Sequence, residues 1–509
     1  VLAVKDKDYK QAMDMITQSL YVGGRDLQAL TLKAYILRMQ DKKEEAQETI
    51  HYIQQIDPLD YWSAAEASLS ASQGASFLKA GTNHNSKGII AIQELLEVVN
   101  NYMTIGATED ALTLLNSAIS LGEPYASNPL LYYYKAYNLL KSKNSIEFQT
   151  CLDKARSLSP LNNYPFRIEE IALFKTLLQK RPDDALLHYH LGNLLYFLGQ
   201  KESGLEHWLH ATETDPSFAI AARNVGFGYG CLNDLEKSIK YYDRAINANP
   251  NDPLLLTESD KIYEQANIPT DQRLKRLESH LKTVMKHDDA VMRLLTLYNA
   301  ESKYDKSIKI LNTRHFHLWE GGGQVHDIYA DSHILKGMQF LKRKQYKEAI
   351  REFDLANQYP SNLEVAPSPN GGYEAKIYYL SGIAYEAMKQ TDKAKICFEK
   401  SADTHFRSHL TDLNYYKIKS LRKLNRNGEA DVALSNMQKT LERILRNPTD
   451  SYAKFGEANQ NVQQSNISYY SGLIHLLQNN PSAAKNDFTQ ALQLYPGNIW
   501  AQLMNKDIH

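Results

Sequence analysis

Small, large and proline positions recur along the chain with a period of 34 residues. In the clearest stretch, Gly192, Gly204, Trp208, Ala211 and Pro216 are followed 34 positions later by Gly226, Ser238, Tyr242, Ala245 and Pro250. Small residues let two helices approach closely, large apolar residues fill the space between neighbouring hairpins, and proline ends the second helix. The pattern predicts stacked helical hairpins.

The same pattern recurs over most of the chain. Its further copies are Gly337, Ala349, Phe353 and Ala356; Gly382, Ala394, Phe398 and Ser401; Gly472, Ala484, Phe488, Ala491 and Pro496; and, in weaker form, Ala34, Ala46, Ile50 and Pro58; Ala111, Leu115 and Ala118; and Ala136, Leu152, Ala155 and Pro160. This pattern resembles the tetratricopeptide-repeat family. The resemblance implies an all-α fold, an α-solenoid in which the hairpins form a right-handed superhelix. An irregular helical bundle is the alternative.

The regularity of the pattern divides the chain into three predicted segments. Residues 1–160 hold degenerate hairpins, residues 161–300 hold the clearest period, and residues 301–509 hold further hairpins with two inserted loops at 315–327 and 361–373. A third break, rich in Ala, Ser and Gly, runs from Ala64 to Gly88 and is predicted to be an irregular joint. Both later insertions follow the second helix of a hairpin, so we expect them on one rim.

The net charge and the length of the apolar runs indicate which kinds of partner the chain is not expected to bind. Lys and Arg total 58 against 59 Asp and Glu, a formal net charge of -1, which gives no general attraction to nucleic acid. No apolar run approaches the roughly 18 residues of a membrane span. Three widely spaced cysteines suggest neither a zinc site nor a disulfide framework, and we expect all three to be buried. The compartment, cytoplasmic or periplasmic, stays open.

A second resemblance is carried by three short motifs: the run from Tyr164 to Glu170, the pair Arg223-Asn224, and the loop Trp319-Glu320-Gly321-Gly322. These look like large bacterial repeat proteins, common in Bacteroidetes, that carry a β-rich domain ahead of their repeats and whose function is not established. The resemblance implies that this chain, which begins at Val1 without an initiator Met, is the carboxy-terminal repeat region of a longer protein and contacts an upstream β-rich domain.

Tyrosine stands three residues before the small position of four repeats, at Tyr133, Tyr189, Tyr379 and Tyr469. The resemblance to tetratricopeptide repeats implies that this position faces the concave groove. Tyrosine gives rigid amphipathic contact, which suits binding of a peptide or a sugar. The other interpretation, which the sequence leaves equally open, is that the rings pack between hairpins.

Two asparagines, Asn193 and Asn224, are spaced like the pair that clamps a peptide carboxylate in chaperone-binding relatives. Those relatives also need basic residues, and here Tyr189, Leu254 and Glu258 occupy the corresponding positions. The carboxylate specificity is therefore not expected to carry over. The amides can still pair with a peptide backbone through donor and acceptor bonds.

Charged residues on the same groove line are Arg223, Glu258 and Asp260, with Arg273 close behind. They are consistent with a structural network that holds adjacent hairpins in register, and also with a site for a polar ligand. Arg223 is the informative position, because a buried Arg must meet an acid or a ligand.

The first inserted loop is the richest in chemical groups. It holds His315, Phe316, His317, Trp319, Glu320, three glycines, His326 and Asp327. We expect Trp319, Glu320, His317 and His326 to be candidate ligand contacts, or Trp319 to cover a hairpin end while the histidines are solvated. The histidine spacing matches no familiar zinc signature, so no metal is predicted.

Signatures of catalysis are missing from the sequence: it has no phosphate-binding glycine loop, no nucleophile elbow and no cysteine paired with a nearby histidine. An enzyme would have to use Glu258 or Asp260 together with Glu320. A third possibility is pure scaffolding, since Ile499, Trp500, Leu503 and Met504 give the last helix an apolar face. The sequence favours a non-catalytic module, without cofactor, that captures a peptide or protein segment in a groove lined by Tyr, Asn and Arg. A carbohydrate-linked role is the alternative.

Overall fold

A computed structural model describes residues 1–80, 89–142, 145–317, 324–367, 372–405, 410–446 and 460–508. The secondary structure of these residues is helical, without a β-strand. The chain forms two compact units, Val1–Gly228 and Tyr229–His509, which are called the first and the second unit below. No helix among the described residues has the length and apolar character needed to cross a membrane.

The described part of the first unit contains fourteen α-helices, the last of which runs past the unit's boundary. They are α1 Leu2–Lys5, α2 Tyr9–Val22, α3 Leu27–Met39, α4 Lys43–Ile56, α5 Tyr61–Ser70, α6 Phe77–Ala80, α7 Ile89–Thr104, α8 Thr108–Ser120, α9 Pro129–Lys141, α10 Ser145–Arg156, α11 Glu169–Lys180, α12 Ala185–Phe197, α13 Lys201–Thr214 and α14 Ala219–Cys231.

The described part of the second unit contains fifteen. They are α15 Leu235–Ala248, α16 Pro253–Gln265, α17 Thr270–Ser279, α18 Leu281–Val284, α19 Asp288–Ala300, α20 Tyr304–Thr313, α21 Gln324–Lys342, α22 Tyr346–Ala356, α23 Glu374–Ala387, α24 Thr391–Ala402, α25 Asp412–Lys423, α26 Asn427–Arg446, α27 Gln460–Leu477, α28 Pro481–Leu494 and α29 Ile499–Asp507.

The two helices of a hairpin pack where the sequence places a small residue opposite a large ring. A β-carbon on Gly192 of α12 would lie 2.5 Å from Cδ1 of Trp208 on α13, so only glycine fits there. The second unit repeats this contact between Gly337 and Phe353 and between Gly472 and Phe488. Such close approach buries the large ring and fixes the hairpin. The predicted fold class, an all-α solenoid of helical hairpins, is confirmed.

Local signals define where many of the helices begin and end. The side chains of Asp184, Asp234 and Asn480 accept hydrogen bonds from backbone N–H groups in the first turns of α12, α15 and α28. Between the two helices of a hairpin, residues such as Asn425 and Asn479 adopt positive φ angles of 61° and 59°. Asparagine tolerates this left-handed conformation, so the turn stays short.

Parts of the predicted loops are helical, which corrects their boundaries. Residues 64–70 belong to α5, because alanine favours helix even in a stretch that is also rich in serine. The loop predicted at 315–327 ends before Gln324, where α21 begins, and the loop at 361–373 opens with a 3₁₀ turn, Ser361–Leu363. The expectation that all three cysteines are buried holds for Cys151 only, because Cys231 is exposed and Cys397 is partly exposed. The three-segment division stays a prediction.

Candidate functional site

The two asparagines predicted to bind a ligand are joined directly in the first unit. Oδ1 of Asn193 accepts hydrogen bonds from Nδ2 of Asn224 and from Nε1 of Trp208, both at 2.9 Å. Oδ1 of Asn224 in turn accepts from Nη1 of Arg223 at 3.1 Å. The Arg223 guanidinium lies 5.6 Å from the centre of the exposed Phe227 ring. Arg223, Asn193 and Asn224 therefore form an oriented polar network at the side of an exposed aromatic ring.

The predicted tyrosine line is buried. Tyr133 has no exposed surface and its hydroxyl donates to Oδ1 of Asp184 at 3.1 Å. The Tyr189 ring packs 5.2 Å from Phe218. The ring of Tyr379 is also buried and lies 6.0 Å from that of Phe398. Burial raises the pKa of all three hydroxyls. Of the two interpretations of this line, burial favours packing between hairpins.

Glu258 and Asp260 have different surroundings in the second unit. Glu258 is partly exposed, and its Oε2 accepts a hydrogen bond from the Tyr242 hydroxyl at 3.2 Å. Asp260 is buried and accepts from Nε and Nη2 of Arg273 at 2.9 and 2.8 Å, and from Nε of Arg293 at 2.6 Å. The Asp260 contacts match a structural ion-pair network more closely than an open site.

The ionisation of Asp260 follows from these contacts. Burial by itself would raise its pKa. The hydrogen bond from Arg273 and the positive charge of Arg293 outweigh burial, so the pKa of Asp260 lies below its usual value. The Glu264 carboxylate oxygens lie 3.0 Å from guanidinium nitrogens of both arginines. Burial raises the pKa of Glu264, but the charges of Arg293 and Arg273 outweigh it, so this pKa also lies below its usual value. The network is thus two carboxylates held by two guanidinium groups.

The loop residues behave differently from one another. Trp319 and Glu320, predicted as ligand contacts, lie outside the described residues. The His317 side chain is 79% exposed. His326 is buried in α21, donates from Nε2 to the Gln358 carbonyl oxygen at 3.0 Å, and stacks on Tyr359 with ring centres 3.8 Å apart. The expectation that the histidines are solvated is therefore wrong for His326, because the helix that contains it turns the ring into the fold.

A polar cavity of about 150 Å³ in the second unit was not anticipated from the sequence. It is lined by Asp331, Tyr373, Lys376, Asp412, Asn466, Tyr469, Tyr470, Asn498 and Trp500. These side chains come from α21, α25 and α27, from α23 and the residue before it, and from α29 and its N-cap. The cavity is large enough for about five water molecules at roughly 30 Å³ each. It therefore has room for one terminal group or the end of one side chain.

The centre of the cavity wall is a buried lysine. The Lys376 ammonium lies 2.5 Å from Oδ2 of Asp412 and 3.4 Å from the centre of the Trp500 ring. Its side chain is only 1% exposed. A lysine is buried to this degree only when its charge is paired, and here the carboxylate and the ring together provide the pairing.

The carboxyl group of Asp331 has a strongly shifted pKa. Burial raises its pKa to about 7, and the negative charges of Asp412 and Asp327 add to the rise. The positive charge of Lys376 and a hydrogen bond from Trp500 oppose the rise. Near neutral pH the carboxyl group is therefore divided between its charged and neutral forms.

Two polar atoms of the residues that line the cavity are buried without a hydrogen-bond partner among the described residues: Oδ1 of Asp331 and the hydroxyl of Tyr469. Buried polar groups in folded proteins are usually hydrogen-bonded, and an unpaired one costs about 1–3 kcal/mol. Atoms of this kind beside a cavity indicate hydrogen-bonding capacity that solvent or a ligand can satisfy.

The repeat pattern contains a signal for this cavity. Asp331, Lys376 and Asn466 each stand six residues before the glycine of their repeat, at Gly337, Gly382 and Gly472. Asp412 holds the same place before Ile418, because Ala430 follows Ile418 by the interval that separates Gly382 from Ala394. A search of the position six residues before the small one would have found it, whereas the position three residues before contributes one lining residue, Tyr469.

A family model for the tetratricopeptide repeat matches residues 229–252 and 375–403. The chain contains tetratricopeptide repeats. The second matched repeat covers α23 and α24 and includes Lys376 of the cavity. Repeats of this type generally serve as protein-binding scaffolds. The narrower likeness to the bacterial proteins with a β-rich domain stays a prediction.

Parts of the chain resemble solved structures, two of which are described as tetratricopeptide-repeat proteins. YrrB, described as a tetratricopeptide-repeat protein with an unusual peptide-binding site, is 16% identical with a TM-score of 0.29, over 42% of this chain and 97% of that one. TTC0263, a protein of Thermus thermophilus, is 17% identical with a TM-score of 0.23, over 40% and 97%. MamA of Desulfovibrio magneticus RS-1 is 17% identical with a TM-score of 0.22, over 38% and 93%.

Proposed function

We propose that this protein is a non-catalytic binding module that captures a peptide or protein segment, and that the cavity of the second unit holds a cationic group of that segment. The observation that carries the proposal is the buried Oδ1 of Asp331 beside the cavity, which has no hydrogen-bond partner among the described residues. A ligand that donates a hydrogen bond to this oxygen removes the penalty of leaving it unpaired.

Charge determines the kind of group. Two carboxylates that line the cavity, Asp331 and Asp412, face a single ammonium, that of Lys376, and a third carboxylate, Asp327, contributes to the field at Asp331. The balance is negative once Asp331 is ionised. Aromatic faces, including that of Trp500, also attract cations. A lysine or arginine side chain, or the amino terminus of a peptide, matches this environment in charge and in size.

The first unit supplies a second proposed contact surface. Asn193 is partly exposed beside Arg223, and Phe227 presents an exposed ring. An amide that both donates and accepts can pair with a peptide backbone, and the ring can cover an apolar side chain. We assign Arg223, Asn193 and Asn224 to backbone contact and Phe227 to side-chain contact.

A carbohydrate ligand is the second candidate. The cavity combines the rings of Tyr373, Tyr470 and Trp500 with the amide of Asn466, and planar rings next to amides and carboxylates also suit a sugar. The two candidates differ in charge. A neutral sugar does not depend on the ionisation of Asp331, whereas a cationic peptide does.

A peptide array and a glycan array, both probed with the full chain, test the proposal. We expect peptides that contain Lys or Arg to be enriched and to lose binding when those residues are replaced by Gln. Asp331→Asn should abolish the enrichment, whereas Asp392→Asn, which changes an exposed carboxylate on α24, should preserve it. Binding to neutral glycans without peptide enrichment would instead support the carbohydrate role.

A further inference from the structure

Two histidines and a glutamate, none of which lines the proposed binding cavity, converge on the surface of the second unit. Nε2 of His315 lies 2.7 Å from Oε1 of Glu364, and Nδ1 of His317 lies 3.7 Å from the same oxygen. The two imidazole rings are 4.7 Å apart between their centres. One nitrogen from each ring and one carboxylate oxygen all lie within 4.8 Å of one another.

Hydrogen bonds between backbone segments hold this group in place. The N–H of Phe316, the residue between the two histidines, donates to the Asn362 carbonyl oxygen at 2.8 Å. Nδ2 of Asn362 donates to the carbonyl oxygens of Leu311 and Arg314 at 2.8 and 2.7 Å. Asn362 therefore joins the chain before His315 to the 3₁₀ turn that precedes Glu364.

Buried side chains anchor both segments. Phe316 and Leu363 have no exposed surface, so each fixes the residue next to it against the fold. Asp288 adds a third support: its Oδ2 accepts from the N–H of His317 at 2.9 Å, and its Oδ1 accepts from Nε of Arg314 at 2.7 Å. The His317 ring is exposed, but these contacts fix the position of the His317 backbone.

Glu364 follows the 3₁₀ turn in the left-handed region, with φ 53° and ψ 27°. This conformation is uncommon for a residue with a long side chain, although Lys344 and Lys389 also adopt it at turns. It places the carboxylate beside two imidazoles that come 49 and 47 residues earlier in the chain.

We propose that His315, His317 and Glu364 bind a divalent transition-metal ion, with Zn²⁺ as the best match. Two imidazole nitrogens and one carboxylate oxygen are the ligand types that zinc takes, and three protein ligands leave a fourth position for water or a further group. A hydrogen bond between His315 and Glu364 accounts for that pair, but it does not account for the approach of His317 to the same oxygen. A shared metal ion accounts for all three positions.

Within the described residues, an ion at this place would join the segment that leaves α20 to the turn that precedes Glu364. The metal would therefore stabilise this connection in the second unit, next to Trp319 and Glu320 in the sequence.

Calorimetric titration of ZnCl₂ into the full chain, freed of metal by a chelator, tests the proposal. We expect one ion per chain, a Kd of about 1 µM or below at pH 7.5, and a rise of about 3 °C in melting temperature. His315→Ala and His317→Ala should each weaken binding by about tenfold or more. Co²⁺ in place of Zn²⁺ should give the visible absorption bands of a four-coordinate ion, and these bands should disappear in both variants.

The matched control is a double variant, His51→Ala with His210→Ala, which removes two exposed histidines from the first unit. It should bind zinc like the wild type. Circular dichroism shows whether each variant keeps its helix content, so that loss of binding can be separated from loss of fold. Wild type without micromolar affinity, or equal weakening by the control, would overturn the assignment.

Discussion

The Phe398 ring lies 2.5 Å from the place where a β-carbon on Gly382 would stand. We predict that Gly382→Ala lowers the free energy of unfolding by about 1–3 kcal/mol, because the added methyl group must displace a buried ring. Thermal unfolding followed by circular dichroism measures the change.

Gly428→Ala is the matched control, since a β-carbon there meets no atom within 4 Å. Gly428 is the second residue of α26, where alanine is at least as good a helix former as glycine. The control should therefore melt at the same temperature as the wild type or slightly higher. Equal destabilisation by both variants would mean that the contact with Phe398 does not fix the hairpin.

The hairpins could be predicted because each depends on a few residues at fixed spacing. Gly192 and Trp208 contact each other within one hairpin, so the sequence period reports the contact directly. The connections could not be predicted in the same way. Residues 64–70 form a helix although Ser and Ala suggested an irregular joint, because the intrinsic preference of alanine prevails where no glycine or proline interrupts.

Asp260 is predicted to hold the second unit together. Asp260→Asn leaves Arg273 and Arg293 without a full charge partner and should lower the free energy of unfolding by about 3 kcal/mol. Glu442→Gln, which changes an exposed ion pair with Arg446, should lower it by less than about 0.5 kcal/mol. Unchanged stability of Asp260→Asn together with lost ligand binding would assign Asp260 to the site instead.

His190 should make the first unit sensitive to acid. Its ring is fully buried, neither ring nitrogen has a partner among the described residues, and burial lowers its pKa to about 3. In the unfolded chain the His190 ring takes up a proton below about pH 6.5, whereas in the folded chain it stays neutral. The free energy of unfolding should therefore fall by about 2 kcal/mol between pH 8 and pH 5 because of this residue. His190→Leu should therefore raise the melting temperature more at pH 5 than at pH 8. An equal rise at both pH values would contradict a neutral buried ring.

The residues of the candidate site differ in how far their surroundings can be predicted from the sequence. Asn193 and Asn224, which are 31 residues apart, occupy neighbouring hairpins and are joined by a hydrogen bond, while their role in ligand binding stays a prediction. The buried position of Lys376 could not be predicted from spacing, because its environment depends on Asp412 and Trp500 from two other helices. Whether a tyrosine faces a groove or the core is also decided by packing, as the buried Tyr133 illustrates.

Arg223 is predicted to contribute to binding rather than to folding. Arg223→Ala should weaken the binding of a selected peptide by about tenfold, while helix content stays unchanged. The reason is that the Arg223 side chain lies between Asn224 of the polar network and the exposed Phe227 ring. Arg25→Ala, an exposed arginine between α2 and α3, is the control and should bind like the wild type. Loss of helix content in Arg223→Ala would assign the residue to structure.

The central claim is that Asp331 receives a cationic group of the ligand. The most direct measurement is the affinity of wild type and Asp331→Asn for one selected peptide containing Lys or Arg, at pH 6 and at pH 8. Since the pKa of Asp331 is about 7, the wild type should bind about tenfold more tightly at pH 8, where the carboxylate is charged. Asp331→Asn should bind weakly and equally at both pH values. Affinities that are equal in the two proteins, or a wild-type affinity that does not change with pH, would contradict the account.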